Sequence, residues 1–227
     1  MVFLTFAFSK GDATLILTGS VHGQLDPCGW PNKPLGGLSR KYTTLKNMKK
    51  EGLSPIVLDA GDLLFAIPAL VDSNRNSETA RAAAMLNDNK IHPFDAINVG
   101  KYEFAGGVGL LQKLSNKTKS NFISANLRDS NSGRLLFNPY RIIERNDITF
   151  WIIGLMDMIS EEVDGVLQDD YIVSGDKYIM KIKEKVDIIV LMINSERSTY
   201  SILISFFPLA NIILTSGSTM LTRPMMT

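Results

Sequence analysis

The chain has 227 residues, 45% of them hydrophobic and 21% charged, which is the balance of an ordinary folded domain and excludes a disordered segment. Twenty-four basic against 23 acidic side chains give a formal net charge of +1, so no broad field favours nucleic acid or anionic lipid. The single cysteine, Cys28, excludes an internal disulfide and a Cys-rich zinc module, and no apolar run approaches the roughly 20 residues that span a bilayer.

Val2 to Phe8 is apolar but lacks a basic leading region and a clear small-residue cleavage site, so it reads either as the stub of an export signal or as a first strand. Thr14 to Thr18, Pro55 to Asp59 and Asp95 to Val99 are short apolar runs ending in Gly, Ser or Asp, the pattern of strands buried on both faces. Between them, Leu38 to Lys50 predicts a helix with a basic exposed face. Ser77 to Asn87 predicts a second, N-capped by Ser77, with Ala80, Ala83, Ala84 and Met85 on one side.

Asn121 to Ala125, Thr149 to Gly154, Asp187 to Ile193 and Asn211 to Thr215 continue the strand pattern. Residues 129–139 form a polar loop, and Tyr140 to Trp151 predicts a hairpin around Arg145-Asn146-Asp147. Strands alternating with helices predict an α/β layered domain with a central sheet, one unit over residues 1–227.

In such a sheet, ligands collect beyond the carboxyl ends of the strands. The polar clusters occupy those points: Ser20 and His22, Asp62, Lys101 to Glu103, Asn194, and Ser216 to Thr219. Cys28 lies in the turn-rich insert Asp26-Pro27-Cys28-Gly29-Trp30-Pro31 and leaves three readings open: a thiol activated by nearby positive charge, a redox or cofactor-attachment point, or an idle thiol. His92, before Pro93 in a loop, receives no catalytic role. No phosphate-binding Gly-rich loop, dinucleotide fingerprint or serine-nucleophile elbow is present.

The order of these clusters resembles the calcineurin-like metallophosphoesterases, specifically the N-terminal catalytic domain of the 5'-nucleotidase and UDP-sugar hydrolase family. The family's Asp-x-His-Gly is matched by Ser20-Val21-His22-Gly23, and its glycine pair before a helix by Gly36-Gly37. Its Asp-Ala-Gly-Asp stands intact as Asp59-Ala60-Gly61-Asp62, and its Gly-Asn-His-Glu-Phe appears as Gly100-Lys101-Tyr102-Glu103-Phe104. Ser124-Ala125-Asn126-Leu127 matches a further segment. Two late motifs that supply histidines fall on Asn194 and on Ser216-Gly217-Ser218-Thr219.

The resemblance implies an α/β/β/α sandwich, truncated at the C-terminus and without the family's C-terminal substrate domain. It makes His22 and Asp62 retained metal ligands, and Ser20, Lys101, Asn194, Gly217 and Thr219 degenerate ligand positions. Tyr102 stands where the family has its catalytic histidine, so no catalytic residue is assigned. A di-metal centre needs two ions clamped about 3.5–4 Å apart by a full set of ligands. The expectation is therefore a non-catalytic binding or structural subunit without a metal cofactor. Either an ion pair from Lys101 to Asp62 replaces the metal or Lys101 simply reaches solvent, and Tyr102 would fill the space of the lost histidine.

The alternative is a weak phosphoesterase acting on nucleotides or other phosphate esters, with one divalent Mn, Zn or Mg held by His22, Asp62, Glu103 and Asn194. A protein partner would cover the C-terminal end. The resemblance points to a periplasmic or exported protein, although no clear signal peptide supports that.

Overall fold

The computed structural model describes residues 2–8, 11–27, 36–87, 94–157 and 163–218. In chain order these form β1 (Val2–Phe8), β2 (Gly11–Thr18), α1 (Leu38–Lys50), β3 (Ile56–Asp59), α2 (Asp72–Asn87), β4 (Ala96–Asn98), α3 (Val108–Thr118), β5 (Phe122–Ile123), β6 (Leu127–Asp129), β7 (Tyr140–Arg145), β8 (Ile148–Met156), β9 (Val166–Gln168), α4 (Tyr171–Ile182), β10 (Ile188–Asn194), α5 (Tyr200–Phe206) and β11 (Ile212–Ser216).

Two sheets make the centre, as the α/β/β/α expectation has it, rather than the single central sheet that the strand pattern alone suggested. The first runs β1-β2-β3-β4-β5, parallel from β2 to β5 with β1 antiparallel at its edge. The second runs β11-β10-β8-β7, parallel except for the β7–β8 hairpin. Val2–Phe8 is thus an edge strand paired with β2, from Val2 opposite Leu17 to Phe8 opposite Gly11.

Side-chain alternation along each strand sorts the core into three layers. Leu15, Leu58 and Ile123 of the first sheet meet Phe150, Ile152, Val190 and Met192 of the second. On the outer face of the first sheet, Ile16, Val57 and Ile97 pack against Leu45, Met85 and Leu111 of α1, α2 and α3. On the outer face of the second, Trp151, Leu191 and Ile193 pack against Ile179 of α4 and Leu203 of α5. The result is an α/β/β/α sandwich. The sheets approach closely at Gly154, where an added Cβ would lie 2.6 Å from Asn98 Oδ1 and 2.8 Å from the Ile123 carbonyl oxygen.

α1 has the expected bounds, but its basic residues are not all outward: Lys41 is buried, with Nζ 3.6 Å from the centroid of the Phe94 ring. α2 begins at Asp72, five residues before the expected cap. Ser77 lies inside the helix and its hydroxyl donates back to the Asn74 carbonyl at 2.9 Å. The buried face of α2 is Ala82, Met85 and Leu86, while Ala80 and Ala84 are exposed. Alanine is equally tolerated on either face, so an alanine periodicity does not fix which face is inward. The β7–β8 hairpin turns on Asn146 and Asp147, both left-handed with φ of 51° and 63°, the two-residue turn that matches strand twist. Among the described residues no helix is long and apolar enough to cross a membrane.

Candidate functional site

Strands β2, β3 and β4 of one sheet and β8, β10 and β11 of the other deliver their carboxyl ends to one place. The loops after β2 and β3 are zipped together: the Ser20 N–H donates to the Gly61 carbonyl at 2.9 Å, His22 to Asp62 at 2.9 Å, and Gly23 to Leu63 at 2.8 Å. Ser20, His22 and Asp62 all have left-handed backbone, with φ of 51°, 52° and 58°. That conformation is uncommon outside glycine and marks a locally overdetermined segment.

Glu103 supplies the determination. From the 3₁₀ turn Lys101–Phe104, its buried carboxyl accepts backbone N–H groups from Gly100 at 2.7 Å, Asp62 at 2.9 Å, Leu63 at 2.6 Å and Leu64 at 3.0 Å. Burial, reinforced by the neighbouring Asp62 carboxylate, pushes this carboxyl up to about 8 against the pull of the Leu64 and Asp62 N–H groups. Asp59 is equally buried, accepting the Thr18 hydroxyl and the Gly61 N–H at 2.9 Å, and burial raises it to about 6. Both carboxyls bind the loops together. With four backbone donors, Glu103 clamps these loops.

Asp62 is completely buried. Its Oδ1 accepts the Tyr102 N–H at 3.0 Å and its Oδ2 accepts the Asn194 side-chain amide at 2.9 Å. The same Asn194 nitrogen donates to Ser216 Oγ at 2.8 Å, and Asn194 Oδ1 accepts the Lys101 N–H at 3.2 Å. The Ser216 hydroxyl donates to the Ala60 carbonyl at 2.6 Å, and Ser20 Oγ accepts the Gly217 N–H at 3.1 Å. Five of the expected positions, Ser20, Asp62, Lys101, Asn194 and Gly217, are therefore joined in hydrogen bonds across the two sheets.

The expected Lys101–Asp62 ion pair is not formed. Both Asp62 oxygens already have partners, and the Lys101 ammonium lies 5.4 Å from the centroid of the Tyr102 ring. Tyr102 packs edge-on to His22, with ring centroids 5.0 Å apart at 80°. His22 Nδ1 is 3.2 Å from the Phe65 carbonyl oxygen, an acceptor only, so Nδ1 is the donor in this contact. Cys28, His92 and Thr219 lie outside the described residues.

These donors do not fit a di-metal centre. Among the described residues no group of three or more His, Cys, Asp or Glu side chains is arranged to hold a metal ion. The carboxylate best placed to bridge two ions has each oxygen taken by a protein N–H.

Several contributors were missed in the sequence. Asn98, at the end of β4, ties the sheets by donating to the Ala60 and Leu155 carbonyls at 3.0 and 2.8 Å. β8 ends at the same place, and Asp157 directly after it accepts the Ser195 hydroxyl at 2.9 Å. The apolar run Ile152 to Met156 followed by Asp157 carries the same strand-then-polar signal as the positions that were found. A cavity of about 220 Å³ opens here, with Lys101, Asp157, Asn194, Ser195, Glu196 and Gly217 among its walls.

Two sheets faced by helices, with polar strand ends gathered at one edge, define a metallophosphoesterase fold. The calcineurin-like phosphoesterase YfkN from Bacillus subtilis shares it, with a TM-score of 0.69 and 18% identity over 89% of this chain and 71% of that one. Within that class, the likeness to the 5'-nucleotidases read from the motifs is borne out in sequence. UshA of Salmonella pullorum is 28% identical over 123 residues, 52% of this chain and 21% of its own length. Human 5'-nucleotidase is 25% identical over 162 residues, 63% of this chain and 26% of its own length. The chain thus spans about a quarter of the length of these curated relatives. No protein-family model matches the chain.

Proposed function

We propose that this chain is a 5'-nucleotidase-like metallophosphoesterase fold that has given up its di-metal centre and serves as a non-catalytic binding or structural subunit. The observation that carries the reading is the state of Asp62: its two carboxylate oxygens are satisfied at 3.0 and 2.9 Å by Tyr102 and Asn194. A buried carboxylate without a cation is costly unless hydrogen-bonded, and this one has exchanged metal coordination for N–H donors. The loops that would present ligands are preserved by Glu103 and Asp59, so the architecture of the site outlasts its chemistry.

Elemental analysis of the purified protein, followed by titration with Mn²⁺ and Zn²⁺, tests this directly. Metal well below one equivalent, with no phosphatase activity on nucleoside monophosphates, is the expected result. A stoichiometric ion that disappears in Asp62→Ala would overturn it and restore the phosphoesterase reading.

A further inference from the structure

Three charged residues line the cavity beside Asn194, namely Lys101, Asp157 and Glu196, and among the described residues none of them is in an ion pair. Their hydrogen-bonding neighbours are already committed. The Asn194 amide nitrogen donates to Asp62 and Ser216, and the Ser195 hydroxyl donates to one Asp157 oxygen. The side chains that remain for a ligand are one ammonium and two carboxylates. A simple anion would meet Asp157 and Glu196, and a simple cation would meet Lys101. A molecule carrying both charges satisfies all three with charge-assisted hydrogen bonds. At about 220 Å³ the space admits one small molecule, below the range of drug-sized pockets.

We infer that this cavity binds a small zwitterion of the α-amino acid type, with its carboxylate on Lys101 and its ammonium on Asp157 and Glu196. The inference rests on the reading that this end of the sheets is no longer committed to metal.

The test is calorimetry and thermal shift of the full chain, in a chelator, against the proteinogenic amino acids. The chelator separates the two ideas, since a surviving metal centre would be revealed by the metal titration and not here. At least one amino acid should raise Tm, and its N-acetyl and amide derivatives should each bind about tenfold or more weakly. Lys101→Met and Asp157→Asn should do the same. Glu196→Gln, at an exposed position, keeps the test open should Asp157→Asn unfold. Equal binding of the blocked derivatives overturns the inference, as does the absence of any shift or heat with every amino acid.

Discussion

Asn194 donates its side-chain amide to Asp62 Oδ2 at 2.9 Å, across 132 positions of sequence and from one sheet to the other. This contact joins the end of β10 to the loop after β3 at the point where the relatives' motifs would place metal ligands. It places an amide donor of the second sheet on a completely buried carboxylate of the first.

Removing the amide should therefore cost stability rather than activity. Asn194→Ala leaves Asp62 Oδ2 and Ser216 Oγ buried without that donor, and an unsatisfied buried group costs about 1–3 kcal/mol. Urea denaturation should show a loss of that size. In a double-mutant cycle with Asp62→Asn the two effects should be non-additive, because the second change removes the charge that the first strands. Strict additivity would show that the contact is energetically idle.

The Glu103 clamp predicts a larger effect. Glu103→Ala withdraws the acceptor from four backbone N–H groups, those of Gly100, Asp62, Leu63 and Leu64, and releases a loop held in left-handed backbone at Asp62. The loss should exceed that of Asn194→Ala and be accompanied by faster amide exchange at Leu63 and Leu64. Unchanged exchange at those amides would disprove the clamp.

Burial of the same carboxyls makes stability depend on pH. Glu103 is raised from 4.5 to about 8 and Asp59 from 3.8 to about 6, so both bind protons more tightly in the folded state than in the unfolded chain. Their contribution is complete below about pH 4. It falls as pH rises, through about 6 for Asp59 and about 8 for Glu103. Thermal unfolding should give a higher Tm at pH 5 than at pH 8.5, and Glu103→Gln should flatten the upper part of that slope while lowering Tm at acid pH. A Tm that rises between pH 5 and pH 8.5 would contradict the assignment.

Much of this arrangement was legible before the structure. β3, β4 and β10 read as strands buried on both faces because apolar residues run without alternation up to a terminal Asp59, Asn98 or Asn194, and α1 was bounded by Gly37 and the basic pair Lys49-Lys50. The positions of the polar clusters followed from strand ends alone. The split into two sheets was not legible in the strand pattern, because periodicity tells which face a residue takes and not which strand lies beside it, and it came instead from the resemblance, which implied the α/β/β/α sandwich that is observed. The start of α2 was missed because residues 72–76 hold no apolar side chain to show a period. The Lys101–Asp62 pairing failed for a related reason: charge suggested a partner, whereas geometry gave both Asp62 oxygens to N–H donors that the sequence does not advertise.

If the scaffold of the site survives and only its ligands were lost, replacing them should bring metal back. Ser20→Asp, Lys101→Asn, Tyr102→His and Asn194→His together remove the ammonium, free Asp62 Oδ2 from its amide and add three donors around His22 and Asp62. Asp62 and His22 already hold the left-handed backbone that orients their loops, and Glu103 still ties those loops to the turn at Gly100. The quadruple variant should be less stable than the natural chain in a chelator, since new carboxylate and imidazole groups are then crowded without a cation. Addition of Mn²⁺ or Zn²⁺ should recover Tm in a saturable way, by the linkage of binding to folding, while leaving the natural chain unmoved. A variant that folds but shows no metal-dependent rise in Tm would mean that the loops no longer hold a metal-binding shape, and the loss of the centre would then lie in the fold and not only in its side chains.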